Sequence, residues 1–322
     1  MDLDITRLAK PQSKIHFPPA LIPGDRIAFL SPASAVKDEY VATAMERFRE
    51  RGYEPVLMPH ALGPRNGSYS SSKINRLDDF IEALKDDTIR GILCNRGGYG
   101  CVHLLPDLHD AINTQSSKWL IGFSDVSALL AMSYMANIAS IHGPMAKHLA
   151  TQPPDDYSTK ALFNILENGG KFNYRVNSSP DNIYGKVTGI LRGGNLAVLN
   201  GLAATPYDIL EVKPHEEVIL FFEDINEPIY AIERILWRLS LSGSLNRVKG
   251  LIFGQFTDYK PDRNFNSMEE MIHRMLQTMA IPEIPVVFNF PIGHVTLNLP
   301  LTVGATTELT VEKDFTYIKT LD

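Results

Sequence analysis

Only two cysteines, Cys94 and Cys101, occur among the 322 residues. A disulfide framework therefore does not organise the fold, and a reducing compartment suits the chain. Cys94 closes the apolar run Ile92-Leu93-Cys94 and is expected as a small buried residue rather than a reactive thiol. A large excess of charge of one sign is lacking as well. Thirty-one basic residues against 37 acidic leave a net charge of −6, and Lys and Arg form no run. Nothing in that balance draws nucleic acid or an anionic membrane. No window approaches the ~18 apolar residues of a membrane span. Met1 to Pro19 lacks the unbroken apolar stretch of a signal peptide. These absences predict a soluble, cytoplasmic protein with no nucleic-acid or membrane partner. The nine histidines pair with no Cys or acid at a spacing such as His-Glu-x-x-His, so no metal is expected. Neither Gly-x-Gly-x-x-Gly nor Gly-x-x-x-x-Gly-Lys is present, which leaves no sign of a phosphate-bearing cofactor.

What is present is enough for two cores, since a chain of this length exceeds the size at which one usually stops growing. The first half alternates short apolar runs with amphipathic stretches. Strands are predicted at 26–31, 55–58, 89–95, 119–123 and 139–141, and helices at 40–51, 73–84 and 126–135. Such alternation indicates a parallel sheet covered on both faces, with ligands gathered at the C-terminal strand ends. Prolines, glycines and serines then crowd the chain, and 161–184 is expected as a linker between domains spanning 1–160 and 185–322, with one short helix at 159–168. The second half carries predicted strands at 185–190, 217–222 and 248–253, helices at 231–241 and 268–279, and a β-rich close at 302–319.

Four segments could carry chemistry. Ser124 follows Trp119-Leu120-Ile121 and precedes a helix, so it either projects from a sharp turn as a nucleophile or, with Asp125, merely caps that helix. Asn95-Arg96-Gly97-Gly98-Tyr99-Gly100 follows another strand. Its glycines allow a close backbone approach to a ligand, although a plain tight turn would need them too. The apolar run Val218 to Phe222 ends on Glu223-Asp224, and an acid there can orient a histidine; Glu227 competes for the role. His294, in Phe290-Pro291-Ile292-Gly293-His294, suits a general base, with His142 as its rival.

Taken in order, Pro23-Gly24-Asp25-Arg26, Arg96-Gly97-Gly98-Tyr99-Gly100, Gly122-Phe123-Ser124-Asp125, His142-Gly143-Pro144-Met145, Gly193-Gly194-Asn195-Leu196, Glu223-Asp224 with Glu227-Pro228, and Gly293-His294 resemble the LD-carboxypeptidase family of serine peptidases. That family also contains the microcin C immunity peptidases. The resemblance implies an α/β architecture: a flavodoxin-like parallel-sheet N-terminal domain and a smaller β-rich C-terminal one. It implies a triad of Ser124, Glu223 and His294, with an oxyanion hole from the amide of Asp125 and from Gly97 or Gly98. It further implies an active site at the domain interface, often in a homodimer. Arg96 and Tyr99 are candidates to bind substrate. The Arg-Gly-Gly-Tyr-Gly loop and Glu227-Pro228-Ile229-Tyr230 look like the murein-recycling branch, which removes terminal D-alanine from a murein tetrapeptide. The microcin branch would cleave a peptidyl-nucleotide analogue instead. A flavodoxin-like binding protein without catalysis is the alternative of another class.

Overall fold

The computed structural model describes residues 14–114, 117–279 and 281–321, so most of Met1 to Pro19 lies outside them. The chain forms two compact units. One comprises the chain up to Gly170 together with Leu299–Gly304; the other comprises Lys171–Asn298 and the chain from Ala305 onward.

The first unit carries β1 (Arg26–Leu30), α1 (Asp38–Glu50), β2 (Glu54–Leu57), α2 (Lys73–Lys85), β3 (Ile89–Cys94), α3 (Leu105–Thr114), β4 (Trp119–Gly122), α4 (Ser127–Met135), β5 (Ser140–His142), α5 (Ala146–Thr151) and α6 (Tyr157–Glu167). Its five strands pair in parallel in the order β2-β1-β3-β4-β5. This is the doubly wound order whose crevice opens between the ends of β1 and β3. A sixth strand, Leu301–Val303, returns from late in the chain and pairs antiparallel with β5. The sequence pattern does not foretell that return, because a three-residue run, Leu-Thr-Val, carries no sign of which sheet it joins.

Strand β4 is buried along its whole length, and in α4 every residue from Ser127 to Tyr134 is buried. A helix apolar on all sides belongs in a core. Fully burying each of Leu129 and Leu130 contributes roughly 1.5–3 kcal/mol. The turn between β4 and α4 is thus anchored at both ends by buried elements.

Much of 161–184, expected as a linker, is regular structure. The Asp156 carboxylate accepts from the N–H groups of Ser158 and Thr159 and so caps α6, which buries Leu162, Phe163, Ile165 and Leu166. The Gly169-Gly170 pair ends it with positive φ at both residues. The Pro and Gly cluster therefore marks the two ends of a helix.

The second unit contains β6 (Asn173–Asn177), β7 (Gly185–Asn195), α7 (Leu196–Asn200), β8 (Val218–Ile225), α8 (Ile229–Leu241), β9 (Gly250–Thr257), α9 (Met268–Thr278) and β10 (Val286–Val287). The returning strand of the first unit is β11 (Leu301–Val303). Then β12 (Thr306–Val311) and β13 (Phe315–Thr320) complete the second sheet, in the order β10-β9-β8-β7-β12-β13-β6. Pairing is parallel from β10 to β7 and antiparallel from β7 to β6. A mixed α/β chain with one mainly parallel sheet and a second, strand-rich one matches the expected fold class. Among the described residues no helix is long and apolar enough to cross a membrane.

Candidate active site

In the first unit, β4 ends at Gly122, and Ser124–Val126 form a single short helical turn before α4 begins. Ser124 has φ +63°, a left-handed conformation that costs a non-glycine residue of order 1–3 kcal/mol and collects at functional sites. Neither Ser124 nor Asp125 caps the helix. The residues at the two N-cap positions are Phe123 and Val126, and neither makes a side-chain cap. The buried Asp125 carboxylate instead accepts the N–H of Cys101 at 2.8 Å, tying the turn to the segment after β3. Burial raises its pKa, and the Cys101 bonds oppose the rise. Val126 stands where the Gly-x-Ser-x-Gly elbow has its last glycine. A Cβ on Gly122 would lie only 2.8 Å from the Val126 side chain, so Gly122 makes the room that Val126 takes.

The glycine loop lies against this turn. A Cβ built on Gly97 would meet Ser124 Cβ at 2.9 Å, its Oγ at 3.0 Å and the Asp125 nitrogen at 3.1 Å. At Gly98 (φ +101°) it would meet Ser34 Oγ at 2.3 Å. Ser34 lies after β1 and grips the loop twice. Its N–H donates to Gly97 O at 3.1 Å, and its Oγ accepts from Tyr99 N at 3.2 Å. Arg96 is exposed and donates to Ala35 O, joining the same two loops. These bonds close the crevice side of the β1–β3 switch point around Gly97. Tyr99 is 55% exposed, with its ring in edge contact with His103 at 5.1 Å and tilted on Tyr69 at 6.2 Å. Ser34 had no sequence signal beyond its place just past an apolar strand.

In the second unit, Glu223 sits at the end of β8 with no exposed surface. Its Oε2 lies 2.8 Å from His294 Nδ1. An ionised carboxylate only accepts, so a charged Glu223 takes its hydrogen bond from Nδ1–H of His294. Gly293 (φ +106°) passes so close that a Cβ there would come within 2.8 Å of Glu223 Oε2. Glycine before His294 is therefore a packing requirement as well as a backbone one.

Asp224 points to the other face of β8, as strand alternation requires. It accepts from Asn195 Nδ2 at 3.0 Å and from the N–H groups of Ala197 and Ile225 at 2.8 Å each. Burial, with the neighbouring Glu223 charge adding to it, pushes its carboxyl up to about 7. The two sequence rivals stand elsewhere. Glu227 lies beyond the strand after the left-handed Asn226, and it is Glu223 that meets His294. His142 is fully buried in β5, its ring against Phe123 at 5.8 Å. Among the described residues no group of three or more His, Cys, Asp or Glu stands together as a metal site.

The comparisons with known proteins agree with this architecture. Residues 27–143 match the LD-carboxypeptidase N-terminal domain and residues 188–309 the LD-carboxypeptidase C-terminal domain. The murein tetrapeptide carboxypeptidase of Pseudomonas aeruginosa is 30% identical over 88% of this chain and 92% of its own. Among solved structures, a muramoyltetrapeptide carboxypeptidase from Oxalobacter formigenes superposes with a TM-score of 0.80. It has 26% identity, covering 92% of this chain and 99% of that one. The microcin C7 self-immunity protein, solved with aspartyl sulfamoyl adenosine, shares the fold. Its TM-score is 0.81 at 24% identity, over 95% and 99% of the two chains. A two-unit α/β peptidase is the class these features define. The chain belongs to the LD-carboxypeptidase family.

Proposed function

We propose that the chain is a serine carboxypeptidase that releases terminal D-alanine from murein tetrapeptide at its L,D bond. The observation that carries the reading is the Glu223–His294 pair, 2.8 Å apart with Glu223 fully buried. A carboxylate held that way fixes one tautomer of a histidine and stabilises its cation, as a hydrolytic triad requires. The left-handed Ser124, with Gly97 pressed on it, supports the choice of nucleophile.

In this reading Ser124 Oγ attacks the carbonyl carbon and passes its proton to His294 Nε2. That proton then goes to the amine of the departing D-alanine. Water, deprotonated by the same nitrogen, hydrolyses the ester and returns Ser124. The N–H groups of Asp125 and of Gly97 or Gly98 stabilise the negative oxygen, each worth about 10²–10³ in kcat. Arg96 and Tyr99, at the mouth of the glycine loop, bind the peptide. The likeness of 30% identity to the murein tetrapeptide carboxypeptidase of Pseudomonas aeruginosa supports tetrapeptide as the substrate. The enzyme would work in the cytoplasm in wall-peptide recycling, as a homodimer, a state light scattering checks.

Incubation with murein tetrapeptide and with a peptidyl-nucleotide analogue, followed by mass spectrometry, tests the substrate. Loss of one alanine from the tetrapeptide is expected, and is abolished by Ser124→Ala, Glu223→Ala and His294→Ala. Cleavage of the nucleotide analogue alone would move the chain to the immunity branch. No cleavage of either, with no labelling by a fluorophosphonate, would leave a binding protein.

A further inference from the structure

His294 stands on a turn outside the strands. Asn289 is left-handed at φ +57° and Gly293 at φ +106°, and these are the residue types that take such backbone most readily. Bonds from Ile292 N to Phe290 O at 2.7 Å, from Val295 N to Gly293 O at 2.9 Å and from Phe290 N to Phe253 O at 3.0 Å shape the segment, and side chains from elsewhere fix it further.

The holding groups come from two places in the second unit. Strand β9 pairs Phe253 with Phe222 and Phe256 with Asp224, so two residues, Gly254 and Gln255, oppose the single Glu223. That is a β-bulge, which bends a strand and re-aims its side chains. It frees Gln255 to turn toward the His294 segment. Gln255 N donates to Ile292 O at 3.1 Å, and its side-chain Nε2 donates to Asn289 O at 2.9 Å. Gly254 allows the approach, since a Cβ there would meet Ile292 Cγ1 at 2.3 Å. From the far side, the buried side chain of Asn298 accepts the Gly293 N–H at 3.0 Å. The turn is thus held by one side-chain amide at Asn289 and by another at Gly293, the residue before His294.

We infer that Gln255 and Asn298 are positioning residues that keep His294 Nδ1 against Glu223. The inference rests on the catalytic reading for its kinetic consequence but not for its geometry. A histidine displaced by about 1 Å costs on the order of 10²-fold in rate while leaving peptide binding intact, so kcat falls and KM holds.

Isosteric pairs separate this from a merely space-filling role. Asn298→Asp keeps an acceptor for the Gly293 N–H, whereas Asn298→Leu keeps the volume and loses it. Gln255→Glu keeps the shape and loses the donor to Asn289, on a half-exposed site where folding is not at risk. Two measurements apply: kcat and KM with tetrapeptide, and the downfield proton resonance of the His294 Nδ1–H, which needs no substrate. Asn298→Leu and Gln255→Glu should lose or broaden the resonance and lower kcat about 10²-fold at unchanged KM, with Asn298→Asp near the parent. Equal behaviour of the Leu and Asp variants, or a resonance and kcat unmoved in Gln255→Glu, overturns the inference. Ser124→Ala should keep the resonance and abolish turnover. If Ser124→Ala still turns over while the resonance follows the Asn298 pattern, the serine mechanism fails and the positioning role stands.

Discussion

A methyl group on Gly97 would press on Ser124 Cβ and Oγ and on the Asp125 nitrogen at once. The backbone at Gly97 is not left-handed, so alanine is acceptable there until it meets the serine. Gly97→Ala should therefore fold normally, by circular dichroism and melting, yet lose about 10²–10³-fold in kcat, comparable with removing an oxyanion donor. A second test concerns the acid. Glu223→Ala should abolish turnover, whereas Glu227→Ala should retain most of it, because only the former contacts His294. A reversed result in the alanine pair would move the carboxylate role to Glu227. At this scale Ser124, Glu223 and His294 were legible as candidates through the family resemblance, local sequence leaving each with a structural alternative, and of the three the structure pairs Glu223 with His294. Ser34, Gln255 and Asn298 were not. They act through bonds to main-chain atoms distant in sequence, and such bonds demand no particular neighbours along the chain.

Strand β8 shows how an element sets two carboxylates apart. Glu223 faces His294, and Asp224 faces the start of α7. Because burial raises the Asp224 carboxyl from 3.8 to about 7, the folded chain holds a proton there that the unfolded chain has released. The folded state then binds more protons than the unfolded one between those values. The contribution of Asp224 to stability is full below pH about 4 and is lost as pH rises through about 7. Urea melts across that range should show the decline, and Asp224→Asn should flatten it while losing the bond from Ala197 N. In the adjoining strand, a Cβ on Gly193 would stand 1.9 Å from Phe221 O, inside the parallel pairing of β7 with β8. Gly193→Ala must part those strands, and a loss above about 3 kcal/mol in urea unfolding is expected. Most long elements were legible from their periodicity. The short helices α5 and α7 fall below the length at which a repeat declares itself.

Over the whole chain, the two units were expected from length, and both sheets contain the strands anticipated for them. What periodicity did not reveal is the exchange of Leu299–Gly304 into the first unit. There β11 pairs with β5 through Leu301–His142, Thr302–Ile141 and Val303–Ser140, and buried Thr302 Oγ1 donates to Gly170 O at 2.6 Å. A fragment ending at Gly170 leaves that edge open. Fusing Leu299–Gly304 to it through a short Gly-Ser linker should raise its melting temperature by about 2–4 °C for each kcal/mol the edge supplies. No rise would mean that β11 is a passenger.

The same return sets a timetable during synthesis. A ribosome adds about 5–20 residues per second, so roughly 10–30 s separate the emergence of His142 from that of Leu301. Through that interval the sheet bearing Ser124 waits with one margin unfinished, until a much later segment of the nascent chain completes it.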